Sequence, residues 1–301
     1  MPIRILCLGD MVGKPGRLAV AEVLPKLVRE RQIDLVIANV ENAAGGSGLN
    51  PAIFQKILAS GVDVCTLGDH TYRKREVLGL LEQSDRLIRP GNFPPGAIGK
   101  GWCIATTHPS DGTANSSSTT SGGTAGGVKV AVLQIMGRTH INVPGDDPFR
   151  AIDRMLAEVP RDIKVRVVDF HAEVSSEKVA MGWYLNGKVS LIFGTHTHTP
   201  TADARVLPME NGSGGTAFVS DLGMTGPYDS ILGRRKDRVL KHLLTGMPQF
   251  FEVATGDPRV CGVIATIDEV SGMALSIERC DTKATEQAGA YDNDSQTSSD
   301  M

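Results

Sequence analysis

The chain has 301 residues, 41% of them hydrophobic and 22% charged, which is the balance of a folded protein with a sizeable core rather than of a disordered polymer. Lys and Arg number 31 against 34 Asp and Glu, a formal net charge of -3 without a basic run, which argues against an extended nucleic-acid or anionic-membrane surface and for a small-molecule partner. No window is apolar enough to span a bilayer, no leader is evident, and the five cysteines form no C-x-x-C pair, so a disulfide framework and a thiolate zinc site are disfavoured and the cytoplasm is the expected setting.

In chain order, short β-branched apolar runs alternate with stretches of helical periodicity. A strand at Ile3–Gly9 precedes a helix over Gly16–Arg31, with apolar residues from Leu18 to Val28 near a period of 3.6. A strand at Leu35–Val40 precedes a helix over Pro51–Ser60, and Val62–Leu67 precedes a helical stretch around Arg75–Leu81. Two apolar strands, Cys103–Thr107 and Val128–Ile135, flank a segment (109–127) made almost entirely of Ser, Thr and Gly, which has nothing to bury and is expected to be a flexible insertion in a hairpin. Strands at Val165–Phe170 and Val189–Phe193 bracket a short helix over Glu177–Tyr184, and Val260–Ile267 with Met273–Glu278 form a closing antiparallel hairpin. The alternation predicts an α/β fold, a mixed β-sheet core flanked by helices, in a single domain over 1–280, with a disordered tail over 281–301.

Five of the apolar strands end on metal-ligand residue types. The five exits present Asp10; Glu41 with Asn42; Asp69 with His70; His171; and His196 with His198. Ligands of open α/β sheets bind outside the carboxyl ends of the strands, so these residues are expected to converge. Carboxylate oxygens, an amide and imidazoles without thiolate suit two divalent transition-metal ions, with one carboxylate able to bridge. In an extended segment His196 and His198 point to one side, each available to a different ion.

Taken one at a time, an Asp after Gly is commonly a turn or cap, and Glu41-Asn42 before Ala-Ala-Gly-Gly can be loop chemistry. His108, His140 and His242 lack neighbouring donors and are expected to be surface or hydrogen-bonded histidines. The segment Gly9–Gly16 satisfies neither G-x-x-x-x-G-K-[ST] nor G-x-G-x-x-G, so it is no nucleotide loop of those kinds. Gly45-Gly46 and Asp221–Gly226 either line the same cleft or simply turn the chain.

The motifs LGDMVGKPGR, VENAAGGSGL (40–49), LGDHTY (67–72), RPGNFP (89–94), DFHAEVSSEKVAMGWYLNGKVSLIFGTHTHTPTAD (169–203) and DLGMTGPYDSILG (221–233) resemble the YmdB-like bacterial metallophosphoesterases of the calcineurin-like dinuclear type. The likeness runs from the start to about Cys280. It implies a metallophosphoesterase fold and hydrolysis of phosphodiesters, cyclic nucleotides among them, by a metal-bridging hydroxide at two ions, iron, with manganese or zinc as alternatives. By resemblance, Asp10, Asn42 and His198 hold the first ion, Asp69, His171 and His196 the second, Glu41 bridges, and His70 is the catalytic proton donor. The family has Gly-Asn-His where this chain has Gly68-Asp69-His70, so a carboxylate replaces an amide ligand and makes the centre one charge unit less positive. The expected partner is a small phosphodiester or nucleotide, and a homo-oligomer is compatible with the sequence. The rival readings are a nucleotidase-type phosphomonoesterase and a nucleotide-binding regulatory protein with weak or no turnover, the second kept open by Asp69. An interaction protein working through the insertion and tail is the third.

Overall fold

The computed structural model describes residues 2–108, 127–209 and 214–286. The expected insertion at 109–127 lies outside the described residues except for Gly127.

The first half of the chain lays down strands β1 (Pro2–Leu8), β2 (Asp10–Met11), β3 (Leu35–Asn39), β4 (Val64–Thr66) and β5 (Leu87–Ile88), with helices α1 (Gly13–Glu30), α2 (Pro51–Ala59) and α3 (Val77–Gln83) between them. The antiparallel pair β6 (Trp102–Thr106) and β7 (Lys129–Met136) follows, then α4 (Pro148–Glu158), β8 (Val165–His171), α5 (Ser175–Leu185) and β9 (Leu191–Thr195). Short strands β10 (Arg205–Val206), β11 (Ala217–Val219) and β12 (Met224–Pro227), helix α6 (Lys236–Thr245), and the long hairpin β13 (Pro258–Asp268) and β14 (Ala274–Lys283) complete it.

The α/β fold with a helix-flanked mixed sheet core is present, and the core is divided into two sheets. One has the order β2-β12-β13-β1-β3-β4-β5 with β14 on β13, and the other β10-β11-β9-β8-β7-β6. Strand alternation explains the layering. In β1, Ile3, Ile5 and Cys7 pack with Val130, Val132, Val167, Leu191 and Phe193 of the other sheet, while Leu6 and Leu8 turn outward to Val20, Leu24 and Phe54 of the helices. On the far side, Leu133, Val168, Phe170 and Ile192 pack against Ile152 and Met155 of α4 and Met181 and Leu185 of α5. Two face-to-face sheets between two helical layers bury both faces of the central strands, which is why those strands are apolar on both faces over most of their length.

Two differences from the sequence expectations have simple causes. The strand β14 runs to Lys283, and Thr285 N–H donates to Glu22 at 3.0 Å, so the start of the expected tail at Asp281 belongs to the sheet; residues 287–301 lie outside the described ones. Helix α4 escapes the alternation reading although its start is encoded: the Asp147 carboxylate accepts from Arg150 N–H and Pro148 occupies the first turn. Among the described residues no helix is long and apolar enough to cross a membrane.

Candidate metal centre

The parallel neighbours β1, β3 and β4 of one sheet and β8 and β9 of the other end at the same rim. Asp10 lies just beyond β1 in β2, Glu41 and Asn42 follow β3, Asp69 and His70 follow β4, His171 closes β8, and His196 and His198 follow β9. All eight candidates from the strand exits therefore come together, and they fall into two adjoining groups.

The inner group is Glu41, Asp69, His171 and His196, each offering one donor atom within 4.8 Å of all the others. His171 Nε2 stands 3.0 Å from Asp69 Oδ1 and 3.3 Å from Glu41 Oε1, and His196 Nδ1 stands 3.3 Å from Asp69 Oδ1. The outer group is Asp10, Asn42 and His198: His198 Nε2 is 3.3 Å from Asn42 Nδ2 and 4.0 Å from Asp10 Oδ1. Glu41 lies between the groups, because Asn42 Nδ2 donates to the same Oε1 that faces His171, at 3.3 Å. His70 spans them too. Its backbone N–H donates to Glu41 Oε2 at 2.9 Å, and its ring Nδ1 is 2.9 Å from Asn42 Oδ1.

The inner group couples its carboxylates and imidazoles electrostatically. Burial works against ionising Glu41 and Asp69, yet the facing His171, with His196 or His70, outweighs it and holds both carboxyls below their usual range. Burial likewise disfavours a charged His171, but Glu41 and Asp69 raise its pKa well above normal. Asp10, fully buried, is raised by desolvation, with His198 and His171 opposing. Two converging carboxylates and two imidazoles are a donor set that fits a divalent transition cation, and the outer carboxylate, amide and imidazole fit a second that shares Glu41. The space is also reserved: a Cβ on Gly68 would lie 2.4 Å from both Glu41 Oε2 and His171 Nε2, so only glycine lets the β4 exit pass this close.

The extended geometry expected for His196 and His198 is not what carries them. Both have positive φ, 98° and 63°, so a turn rather than a strand continuation sends one ring into each group. That turn is tied down from beneath. Asp221 Oδ2 accepts from Thr197 N–H at 3.3 Å and from its hydroxyl at 2.8 Å, and is itself paired with Lys178 Nζ at 2.6 Å, both partners almost fully buried. His196 backbone N–H donates to the Asp10 carboxylate at 3.1 Å. On the other side, His171 Nδ1 meets Thr195 Oγ1 at 2.9 Å, and that hydroxyl donates to Asp169 at 2.7 Å; burial raises the Asp169 pKa to about 7. Fixing the far nitrogen in this way sets which nitrogen faces the centre.

Sequence reasoning did not single out Lys178, Asp169, Thr195 or Glu173, whose Oε2 lies 3.2 Å from His196 Nε2. All four fall in the block 169–203, but their residue types signal no chemistry alone. Asp221 sat in a segment read as cleft lining or turn, and it is the anchor of the histidine turn. The three histidines set aside are elsewhere: His108 pairs with Asp63 at 2.7 Å, His242 Nδ1 lies 3.0 Å from the Met247 carbonyl, and His140 sits in an exposed turn with φ 62°. A cavity of about 670 Å³ lined by Trp102, Arg154 and Met155 shares no residue with the centre.

A family model described as YmdB-like protein matches residues 6–280. A 2',3'-cyclic-nucleotide 2'-phosphodiesterase of Bacillus subtilis is 41% identical over 277 residues, spanning 92% of this chain and 96% of that protein. Among solved structures, a hypothetical protein from Thermus thermophilus superposes with a TM-score of 0.80 at 38% identity, covering 94% of this chain and all of the other. A Mycoplasma pneumoniae protein described as a novel phosphatase superposes with a TM-score of 0.80 at 27% identity, covering 96% of each chain. With sequence, fold and length all matched along almost its whole extent, the chain belongs to the YmdB-like protein family.

Proposed function

We propose that this protein is a dinuclear metal-dependent phosphodiesterase acting on small phosphodiesters, cyclic nucleotides foremost. The carrying observation is the pair of adjoining donor groups sharing Glu41 at the rim where both sheets end. The activity named for the Bacillus subtilis relative supports the substrate class.

Asp69, His171 and His196 would hold one cation, Asp10, Asn42 and His198 the other, and Glu41 both. The two ions, when bound, supply Lewis acidity to the phosphoryl oxygens and acidify water. The chain supplies orientation and a proton. His70 is fixed by its backbone bond to Glu41 and its ring bond to Asn42, which leaves Nε2 as the nitrogen for proton transfer. As water adds to phosphorus and the P–O bond to the leaving group breaks, the His70 proton passes to the departing alkoxide. The Thr195–Asp169 pair keeps His171 from rotating, and the Lys178–Asp221 pair keeps both histidines of the turn in place. Iron is the metal we favour, and the cytoplasm the setting.

Elemental analysis of the purified protein, with hydrolysis of a panel of 2',3'- and 3',5'-cyclic nucleotides and nucleoside monophosphates, tests the assignment. The expected result is two equivalents of transition metal and turnover of cyclic diesters. Monoester turnover alone would mean a nucleotidase, and full metal loading without turnover of any activated diester would mean a binding protein. His70→Ala should lower turnover of nucleotides by about 10²–10⁴ while sparing a nitrophenyl ester, whose leaving group hardly needs a proton. Equal losses on both substrates would assign His70 a positioning or ligand role instead.

A further inference from the structure

Each of the three histidines assigned to the cations turns one ring nitrogen to the centre and is met by a partner on the other. His171 turns Nε2 inward, and Thr195 Oγ1 stands 2.9 Å from its Nδ1. His198 turns Nε2 inward, and the Leu232 carbonyl stands 3.1 Å from its Nδ1. His196 is reversed: Nδ1 lies 3.3 Å from Asp69 Oδ1, and Nε2 lies 3.2 Å from Glu173 Oε2. The first two partners, a buried hydroxyl and a backbone carbonyl, are fixed by the fold itself. Glu173 differs from both. Its side chain is 47% exposed, and it stands in the link between the end of β8 at His171 and the start of α5 at Ser175.

A carboxylate this exposed adds little to the stability of the fold through such a contact. No Lys or Arg is paired with it among the described residues, and Lys178 on the following helix is taken by Asp221. What Glu173 does decide is where the proton of His196 resides. A neutral imidazole has one N–H and one lone pair, and a neighbouring carboxylate favours the proton on the nitrogen it faces. His196 has a carboxylate at each end, so Asp69 and Glu173 compete for that proton. With the proton on Nδ1 the ring offers the inner group no lone pair; with the proton on Nε2 it does. Asp69 is the better shielded of the two, 17% exposed, and unopposed it would hold the ring in the form that cannot ligate.

We propose that Glu173 is a positioning residue for the inner cation, keeping the His196 proton on Nε2 so that Nδ1 is free to ligate. This role rests on the metal-dependent reading of the centre. It makes the hold on one of the two cations depend on a half-exposed side chain that the core does not lock in place.

Calorimetric titration of the metal-free full chain with manganese tests it, with circular dichroism as the check on folding. Glu173→Ala should weaken the tighter of two manganese affinities by about 10–100-fold, the usual cost of losing the partner of a ligand histidine, and leave the other unchanged. Glu173→Gln should restore most of the loss, because an amide oxygen also accepts from Nε2–H. In an Asp69→Asn background, where the competing carboxylate is gone, Glu173→Ala should cost less. Manganese affinities in Glu173→Ala equal to those of the wild type overturn the proposal. So does a fall in both affinities together, or an equal cost in the two backgrounds. Glu173→Gln as weak as Glu173→Ala overturns it too, by assigning the effect to long-range attraction of the charge. Each of these leaves the metal centre standing, whereas a wild type that takes up no manganese overturns the metal-dependent reading and this role with it.

Discussion

The two donor groups differ in what they have without a cation. In the inner one, two anionic side chains converge on a histidine whose pKa they raise, whereas the outer one has a single buried carboxylate, an amide and an imidazole lying 4.0 Å from that carboxylate. If each group holds a cation, charge density and spacing favour the inner group as the tighter of the two, and Asp69 is what makes the pair of groups asymmetric. With an amide there, as in the family pattern, the inner group would keep no carboxylate besides the shared Glu41, and the outer one would still have Asp10.

The largest effect is expected where both groups depend on one support. Lys178→Ala leaves Asp221 charged and unpaired beneath the histidine turn, which should cost about 3–5 kcal/mol in denaturant unfolding. It should also loosen both cations and so erase the asymmetry. The double change Lys178→Met with Asp221→Asn removes both charges and should cost less than the single one. A single variant as stable as wild type would show that the ion pair holds nothing.

A smaller and more selective change is Asp69→Asn, which should weaken the inner cation by about tenfold, or about 1.4 kcal/mol, and leave the outer one alone. Calorimetric titration with manganese should resolve two affinities in the wild type that draw together in the variant. Two affinities that move in parallel would break the comparison between the groups.

The smallest effect concerns a His–carboxylate pair on the surface, the solvent-exposed counterpart of His171. The hydrogen bond to Asp63 raises the His108 pKa although its side chain is 67% exposed. A raised histidine stabilises the fold below its unfolded value near pH 6.5 and loses that contribution as pH rises through the folded value. For so exposed a pair the amount is a few tenths of a kcal/mol. It should appear as a gap between wild type and His108→Gln in melts at pH 5.5 that closes at pH 8.5.

The strands and the donors were legible because the same runs that make buried strands also point their ends at one rim: Ile3–Leu8, Leu35–Asn39 and Val165–His171 each announce where their last residue goes. The partition into two sheets was not, since Ile5 and Cys7 face one layer and Leu6 and Leu8 another, and a strand apolar on both faces hides its period. The turn at His196 and His198 was read as extended because nothing in Thr-His-Thr-His signals left-handed backbone; its cause, Asp221, is 24 residues away from Thr197 in the chain. Lys178 reads as an ordinary helix surface residue until its burial against Asp221 is known.

The seating of β1 has a consequence for how the protein comes off the ribosome. Its neighbours are β3 and, in antiparallel register from Pro2 to Leu8, β13, and Gly9 N–H donates to the Cys261 carbonyl at 3.0 Å while Asp10 pairs with Met224. The first donor to be translated is therefore among the last to be fixed, because the strands on one side of it are made only when synthesis is nearly finished. A nascent chain halted before Pro258 carries β1, the strand that leads to Asp10, as an open sheet edge, the kind of exposed strand that misassembles with its neighbours. The strand that delivers Asp10 to the rim is thus flanked on both sides only after β13 has been made.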